Sequence, residues 1–151
     1  MKNFLLTAVI IIASIIDVNA QTFEYKIITT VESIVPMGLG RSRIISSDED
    51  KDYKEFTSLR TAENKKQNKS KRSDAKIDQF EETKLVNFYS IAGINFKNIA
   101  SNDALMSSKI NTMVTEGWDL AFVTSGVESD SGKGDGKGIY ITRYIFKRLK
   151  Q

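Results

Sequence analysis

Apolar and polar side chains alternate along the segment from Thr22 to Glu32, which predicts a half-buried β-strand. The only proline of the chain, Pro36, begins a Pro-Met-Gly-Leu-Gly turn. The segment from Ser42 to Ser46 then has the composition of a short returning strand. Together the three features predict an N-terminal β-hairpin.

Charged residues of both signs dominate residues 47–82, and apolar residues are sparse there. Such a segment buries too little apolar surface to offset the entropy lost on ordering, so we expect a mobile insertion within the domain. Tyr53, Phe56 and Leu59 are spaced for one helical turn or a short strand inside it.

Apolar residues recur at helical spacing between Ser101 and Glu116, which predicts the main helix of the chain. Ser101 is the candidate N-cap, and Gly117 stands where a left-handed residue ends a helix. Trp118 then falls over Met113 at the end of the helix. We therefore predict a structural role for this tryptophan in the core.

Three further segments have the composition of strands, at residues 84–91, 119–127 and 139–148. The last two carry apolar side chains on both faces, which predicts interior positions in a sheet. We expect the final strand to lie between the first strand and residues 119–127. The fold class is therefore α+β, an antiparallel sheet with one main helix, built as a split β-α-β core plus the N-terminal hairpin.

One helix covers only one face of such a sheet, so the other face needs a second cover. We assign that cover to residues 83–99, where Leu85, Phe88, Tyr89 and Ile91 supply apolar side chains, and we therefore expect a monomer. Without that cover, the chain is expected to self-associate. The first candidate interface is then the sheet face that carries Tyr140, Tyr144 and Phe146.

The N-terminal twenty residues have the composition of a secretory signal peptide. Lys2 precedes an apolar run from Phe4 to Ile16, and Val18-Asn19-Ala20 forms a small-residue cleavage site before Gln21. The apolar run is shorter than the roughly 20 residues that cross a bilayer, so no membrane span is expected after cleavage. We expect an exported protein, periplasmic or secreted, with residues 21–151 as a single domain.

The composition excludes several chemistries. The chain contains no histidine and no cysteine, so it cannot build the usual nucleophilic triads or the usual zinc, haem and iron–sulfur sites. Catalysis by paired carboxylates or by a Ser-Lys pair is still chemically accessible. Ser107-Ser108-Lys109 contains the residues of such a pair, although its spacing fits the exposed side of the helix better. We expect no cofactor.

Two loops offer candidate ligand sites. The glycine-rich segment 128–138 lacks the spacing of a phosphate loop, but Asp130 and Asp135 are candidate calcium ligands. Within the insertion, five cations are candidates for polyanion binding, although no aromatic residue lies between them to stack on nucleic-acid bases. These cations are Lys65, Lys66, Lys69, Lys71 and Arg72.

Two segments of the chain carry a family resemblance: Glu116-Gly117-Trp118-Asp119-Leu120 and Arg143-Tyr144-Ile145-Phe146-Lys147-Arg148. They resemble a family of small uncharacterised bacterial domains with the pattern Glu-Gly-Trp-Glu-Leu, strand, and a closing strand ending in Phe-Lys-Arg. Asp119 replaces the usual glutamate. The chain is also similar to signal-bearing hypothetical proteins of Bacteroidota, through Asn87-Phe88-Tyr89 and Ile99-Ala100-Ser101-Asn102-Asp103. The resemblance implies the fold and no particular activity.

The sequence therefore predicts an exported binding or interaction protein of the bacterial envelope that is not an enzyme. Its ligand or partner is not specified by any motif, and no specific nucleic-acid binding is expected. Two alternatives stay open at this point. One is a small envelope hydrolase that uses carboxylates, and the other is an accessory protein that binds polyanions.

Overall fold

The computed structural model describes residues 21–33, 41–90, 92–128 and 138–150. The predicted signal peptide, the Pro36 turn and the candidate calcium ligands Asp130 and Asp135 lie outside these residues. The described elements are β1 (Phe23–Ser33), β2 (Arg43–Ser46), a 3-10 turn (Tyr53–Phe56), β3 (Glu81–Lys84), β4 (Tyr89–Ser90), β5 (Gly93–Ile94), α1 (Phe96–Thr115), β6 (Asp119–Glu128) and β7 (Ile139–Leu149).

Five of the strands form one antiparallel sheet in the order β3-β2-β1-β7-β6. Strands β1 and β7 pair along their whole length, from Phe23 opposite Leu149 to Ser33 opposite Ile139. Strands β1 and β2 form the predicted hairpin, and β7 lies between β1 and β6. The α+β fold class and the predicted order of these three strands are confirmed.

The end of the helix forms as the glycine predicts. Gly117 has a φ of 84°, and its N–H donates to the Val114 carbonyl at 3.0 Å. The Trp118 N–H reaches the Met113 carbonyl at 3.0 Å, which completes a Schellman motif. The Trp118 ring is buried in the core, with the Arg148 guanidinium 4.2 Å from its centroid. The predicted structural role of Trp118 is confirmed.

The start of the helix was predicted wrongly. Helix α1 begins at Phe96 with Asn95 as N-cap, and the Asn95 side chain accepts from the Asn98 N–H at 3.3 Å. Ser101 lies inside the helix, where its hydroxyl donates to the Lys97 carbonyl. Asn95 takes the cap because an asparagine oxygen satisfies a free N–H of the first turn as well as a serine does.

The core lies between α1 and one face of the sheet. Ile28 on β1 and Phe146 on β7 are fully buried, and Met106 and Met113 of α1 join the same cluster. This side of the sheet is called the helix face below. The other buried members of the cluster are Ile44, Leu85 and Trp118, with Ile110 and Tyr144 packed against it.

The predicted strand at residues 84–91 was misplaced. The sheet strand β3 ends at Lys84, and β4 contains only Tyr89 and Ser90. After one more bond, from the Leu85 N–H to the Ser42 carbonyl at 2.9 Å, the chain turns toward α1. Leu85 enters the core there, because its apolar side chain finds cover beneath the helix.

The charged insertion is exposed along almost its entire length. It contains the one turn of 3-10 helix at Tyr53–Phe56, as the spacing of Tyr53 and Phe56 suggested. Asn68 ties the loop together, because its Nδ2 donates to the Glu55 carbonyl at 2.6 Å and its N–H donates to Ser58. The mobility of this segment stays a prediction.

Strand β6 does not lie in the interior of the sheet. It is an edge strand, and all ten of its residues are exposed. Strand β7 is an interior strand, but among its residues only Thr142 and Phe146, on the helix face, are buried. The prediction that both strands are buried on two sides is therefore wrong, because α1 packs over β1, β2 and β7 on one side only.

Candidate binding surface

The sheet has a second face, away from α1, which we call the open face. Strand β1 shows the contrast between the two faces: Ile28 is fully buried on the helix face, whereas its neighbour Ile27 is 51% exposed. Side chains alternate between the two faces of a strand, so cross-strand pairing identifies the members of each face. The open face contains Phe23, Tyr25, Ile27, Thr29 and Val31 of β1; Ile139, Ile141, Arg143, Ile145, Lys147 and Leu149 of β7; and Asp119, Phe122, Thr124, Gly126 and Glu128 of β6.

Apolar residues form rows across this face. The central row joins Ile27, Ile145 and Phe122 on three neighbouring strands. Phe122 lies on the edge strand β6, and it is 61% exposed. At one end of the sheet Phe23 lies opposite Leu149, and both are exposed. The rows make an apolar surface on a hydrogen-bonded support, with the rows of Lys147 and Arg143 between them.

The open face was predicted to be covered by residues 83–99, and this prediction is wrong. Leu85 belongs to the core on the helix face, and Asn98 and Asn102 bond residues 86 and 87 to α1. The segment therefore follows the helix, where amide side chains satisfy its backbone groups. The open face keeps its exposed apolar side chains, Ile27 among them.

The interface predicted in the absence of that cover was assigned to the wrong face. Tyr140, Tyr144 and Phe146 lie on the helix face, since each pairs across from a helix-face position of β1. Phe146 is fully buried beneath α1. Spacing along β7 correctly groups the three residues, but it does not show which of the two groups the helix covers.

Charges of both signs surround the apolar rows. The cations Arg143 and Lys147 alternate with isoleucines on β7, and the Lys147 ammonium lies 4.9 Å from the Phe23 ring centroid. The carboxylates Asp119 and Glu128 lie on β6, at the edge of the sheet. At the opposite edge, Arg43 Nη1 donates to Glu82 Oε2 at 2.5 Å. The open face therefore alternates apolar rows with rows that carry charged side chains of both signs.

A separate cleft of about 600 Å³ lies beside residues 47–49 and 78–81. Its carboxyls are held by lysines: a bond from Lys26 lowers the pKa of Asp48, and a bond from Lys109 lowers that of Glu81. The pKa of Glu49 is likewise lowered, mainly by Lys51. A general acid needs a raised pKa at neutral pH, so these three carboxyls do not favour the hydrolase alternative.

The remaining predicted sites do not come together into a cluster. Among the described residues, no group of three or more acidic side chains is arranged to hold a metal ion. Lys109, of the Ser-Lys alternative, donates to Glu81 Oε2 at 3.0 Å instead of to a serine. The five candidate cations for polyanion binding are exposed and lie in the insertion, outside any helix or strand: Lys65, Lys66, Lys69, Lys71 and Arg72.

Comparison with known proteins leaves the family open. No family model matches the chain, and neither curated proteins nor solved structures give a match. The resemblance carried by Glu116 to Leu120 and by the closing strand therefore stays a prediction. Within the part of the chain described here, no helix has the length and apolar content to cross a membrane.

Proposed function

We propose that this protein is an exported, non-catalytic interaction domain of the bacterial envelope, which binds a macromolecular partner through the open face. The observation that carries the proposal is the uncovered apolar surface around Ile27, Ile145 and Phe122. Soluble monomers rarely expose a contiguous apolar patch of more than a few hundred Å² unless it is an interaction site.

The rigidity of the open face favours binding. Its side chains stand on β1 and β7, which pair over eleven residues each. A partner therefore meets a surface that is already ordered, and association costs little further conformational entropy. Burial of the exposed ring of Phe122 and of its neighbours Ile27 and Ile145 would stabilise the complex by roughly 25 cal/mol per Å² of apolar surface removed from water.

The proposed location rests on the N-terminal sequence. Lys2, the apolar run and the Val18-Asn19-Ala20 site are typical of a cleaved signal peptide. Export places the domain in the periplasm or outside the cell, where a fold without cysteine depends on packing alone. The expected mature protein begins at Gln21.

A photo-crosslinking amino acid at position 122 tests the proposal in the producing cell. Phe122 and Val127 lie on the same exposed edge strand, 61% and 59% exposed, but only Phe122 is on the open face. We expect irradiation to join the variant at 122 to one discrete macromolecule, and the control variant at 127 to give no such product. An equal pattern at the two positions, or no product at 122, would overturn the proposed binding surface.

A further inference from the structure

We propose that the partner of the open face is a second copy of this chain, so that two sheets pack face to face and the two α1 helices lie on the outside. The inference rests on the proposed function, because it names the partner of the same surface. It accounts for three properties of the open face: its area, its shape and its mixed charge.

The area of the open face is enough for a stable dimer. Strands β1 and β7 have eleven residues each and β6 has ten. At roughly 3.3 Å per residue and about 4.8 Å between strands, these three strands present about 500 Å² in projection. The accessible surface of protruding side chains is larger than their projection, so two copies reach the ~1,200 Å² of total buried surface at which stable interfaces begin.

The shape of the open face fits another sheet. Its central row, Ile27, Ile145 and Phe122, stands on three paired strands rather than around a cavity, with a register shift between Leu120 and Phe122 on β6. Two such sheets pack about 10 Å apart, with the side chains of the inner faces interdigitated. In that arrangement the apolar rows of each copy take the place that α1 takes on the helix face.

The charge of the open face also fits a second copy. A polyanion or an anionic lipid surface attracts a face of one sign, but this face carries Arg143 and Lys147 together with Asp119 and Glu128. Charged groups that are buried in an interface need partners of opposite sign. A second copy supplies carboxylates for Arg143 and Lys147, and cations for Asp119 and Glu128. The face is in this sense complementary to itself, as an isologous two-fold interface requires.

Sedimentation velocity of the exported protein over a range of micromolar concentrations tests the inference. We expect the protein to sediment as a dimer that dissociates on dilution. Phe122→Lys places an unpaired charge in the central row of the interface and is expected to raise the dissociation constant by at least about tenfold. Val127→Lys, on the helix-face side of the same strand, is the matched control and is expected to leave the dimer unchanged.

Circular dichroism of each variant verifies that it folds, and Ile27→Ala repeats the test without an added charge. A protein that sediments as a monomer throughout would overturn the inference, as would a dimer that Val127→Lys weakens and Phe122→Lys leaves intact. If the purified protein is monomeric while position 122 still captures a different macromolecule in the cell, self-association is wrong and the proposed binding function stands. If position 122 captures nothing either, both are wrong.

Discussion

The two faces of the sheet are built from similar residues, but one face is buried and the other is exposed. On the helix face, Ile28 and Phe146 are fully buried under α1, whereas on the open face Ile27 is 51% exposed. Ile27 and Ile28 are neighbours in one strand, so composition does not distinguish the two sides. The comparison shows that apolar residues on both sides of a strand indicate two covers, of which the described part of the chain supplies one.

The faces also differ in their buried polar contacts. Asn102 of α1 is buried, and its amide joins the Val86 backbone to the Glu32 carboxylate. Such bonds fix one position of the helix over the sheet, because a misplaced helix would leave polar groups buried and unpaired. On the open face, among the described residues, apolar side chains are more numerous than charged ones. The buried contacts of the helix face therefore specify the position of the helix, and the open face carries the proposed binding surface.

The largest expected effect is the difference in stability between alanine variants of two phenylalanines, one on each face of the sheet. Phe146→Ala removes a fully buried ring beneath α1, and we expect it to lower the free energy of unfolding by about 3–5 kcal/mol. Phe122→Ala removes an exposed ring from the open face, and the expected loss in the dilute monomer is below about 1 kcal/mol. Urea unfolding of both variants measures the difference.

That pair of variants can contradict the comparison directly. Similar losses at high dilution would mean that Phe122 is covered within the monomer and that the open face is not free. If the loss for Phe122→Ala grows as the protein concentration rises, the ring is covered by self-association instead, since only the dimer responds to concentration.

Much of the fold was predictable because its signals are local. Alternation along β1 predicts a strand, and Gly117 predicts the end of the helix because a positive φ favours glycine. These features depend on neighbours in the sequence, so one chain suffices to find them.

The candidate binding surface was not predictable in the same way. Strand β6 has the apolar pattern of an interior strand, and it is exposed because no described strand pairs with its outer edge. The composition of Leu85 and its neighbours does not show which face of the sheet they pack on. The hydrogen bonds between Asn102 and the Val86 backbone hold them beside the helix. Arg143 and Lys147 among the isoleucines of β7 are the sequence signal of a face that meets water.

The next effect tests the polar contact that distinguishes the helix face. Asn102→Ala leaves the Val86 backbone groups without their amide partner, and we expect a loss of about 1–3 kcal/mol in unfolding free energy. Asn111→Ala, at an exposed position of the same helix, is the control and is expected to change stability by less than about 0.5 kcal/mol. Equal effects from the two substitutions would show that the Asn102 contact does not hold the segment at residue 86.

A smaller effect is expected at the end of the helix. Gly117 has a φ of 84°, and a Cβ added there would meet no atom within 4 Å. Gly117→Val therefore tests backbone strain alone, which costs a residue with Cβ about 1–2 kcal/mol. Gly117→Asn is the control, since asparagine tolerates the left-handed conformation better. Thermal unfolding should rank glycine above asparagine and asparagine above valine, and any other order would contradict the conformational explanation.

The smallest effect is the pH dependence of the ion pair between the helix and the edge of the sheet. Lys109 lowers the pKa of Glu81 below its usual 4.5 in the folded protein, so the folded state favours the ionised carboxyl. This stabilisation is present above pH 4.5 and is lost as the pH falls through the lowered pKa. Glu81 is mostly exposed, so the pair contributes no more than about 0.5 kcal/mol. Glu81→Gln should lower stability by that amount at pH 7, and the difference from wild type should shrink as the pH falls below 4.5. A difference that stays constant into acid would show that the pair acts through packing instead of charge.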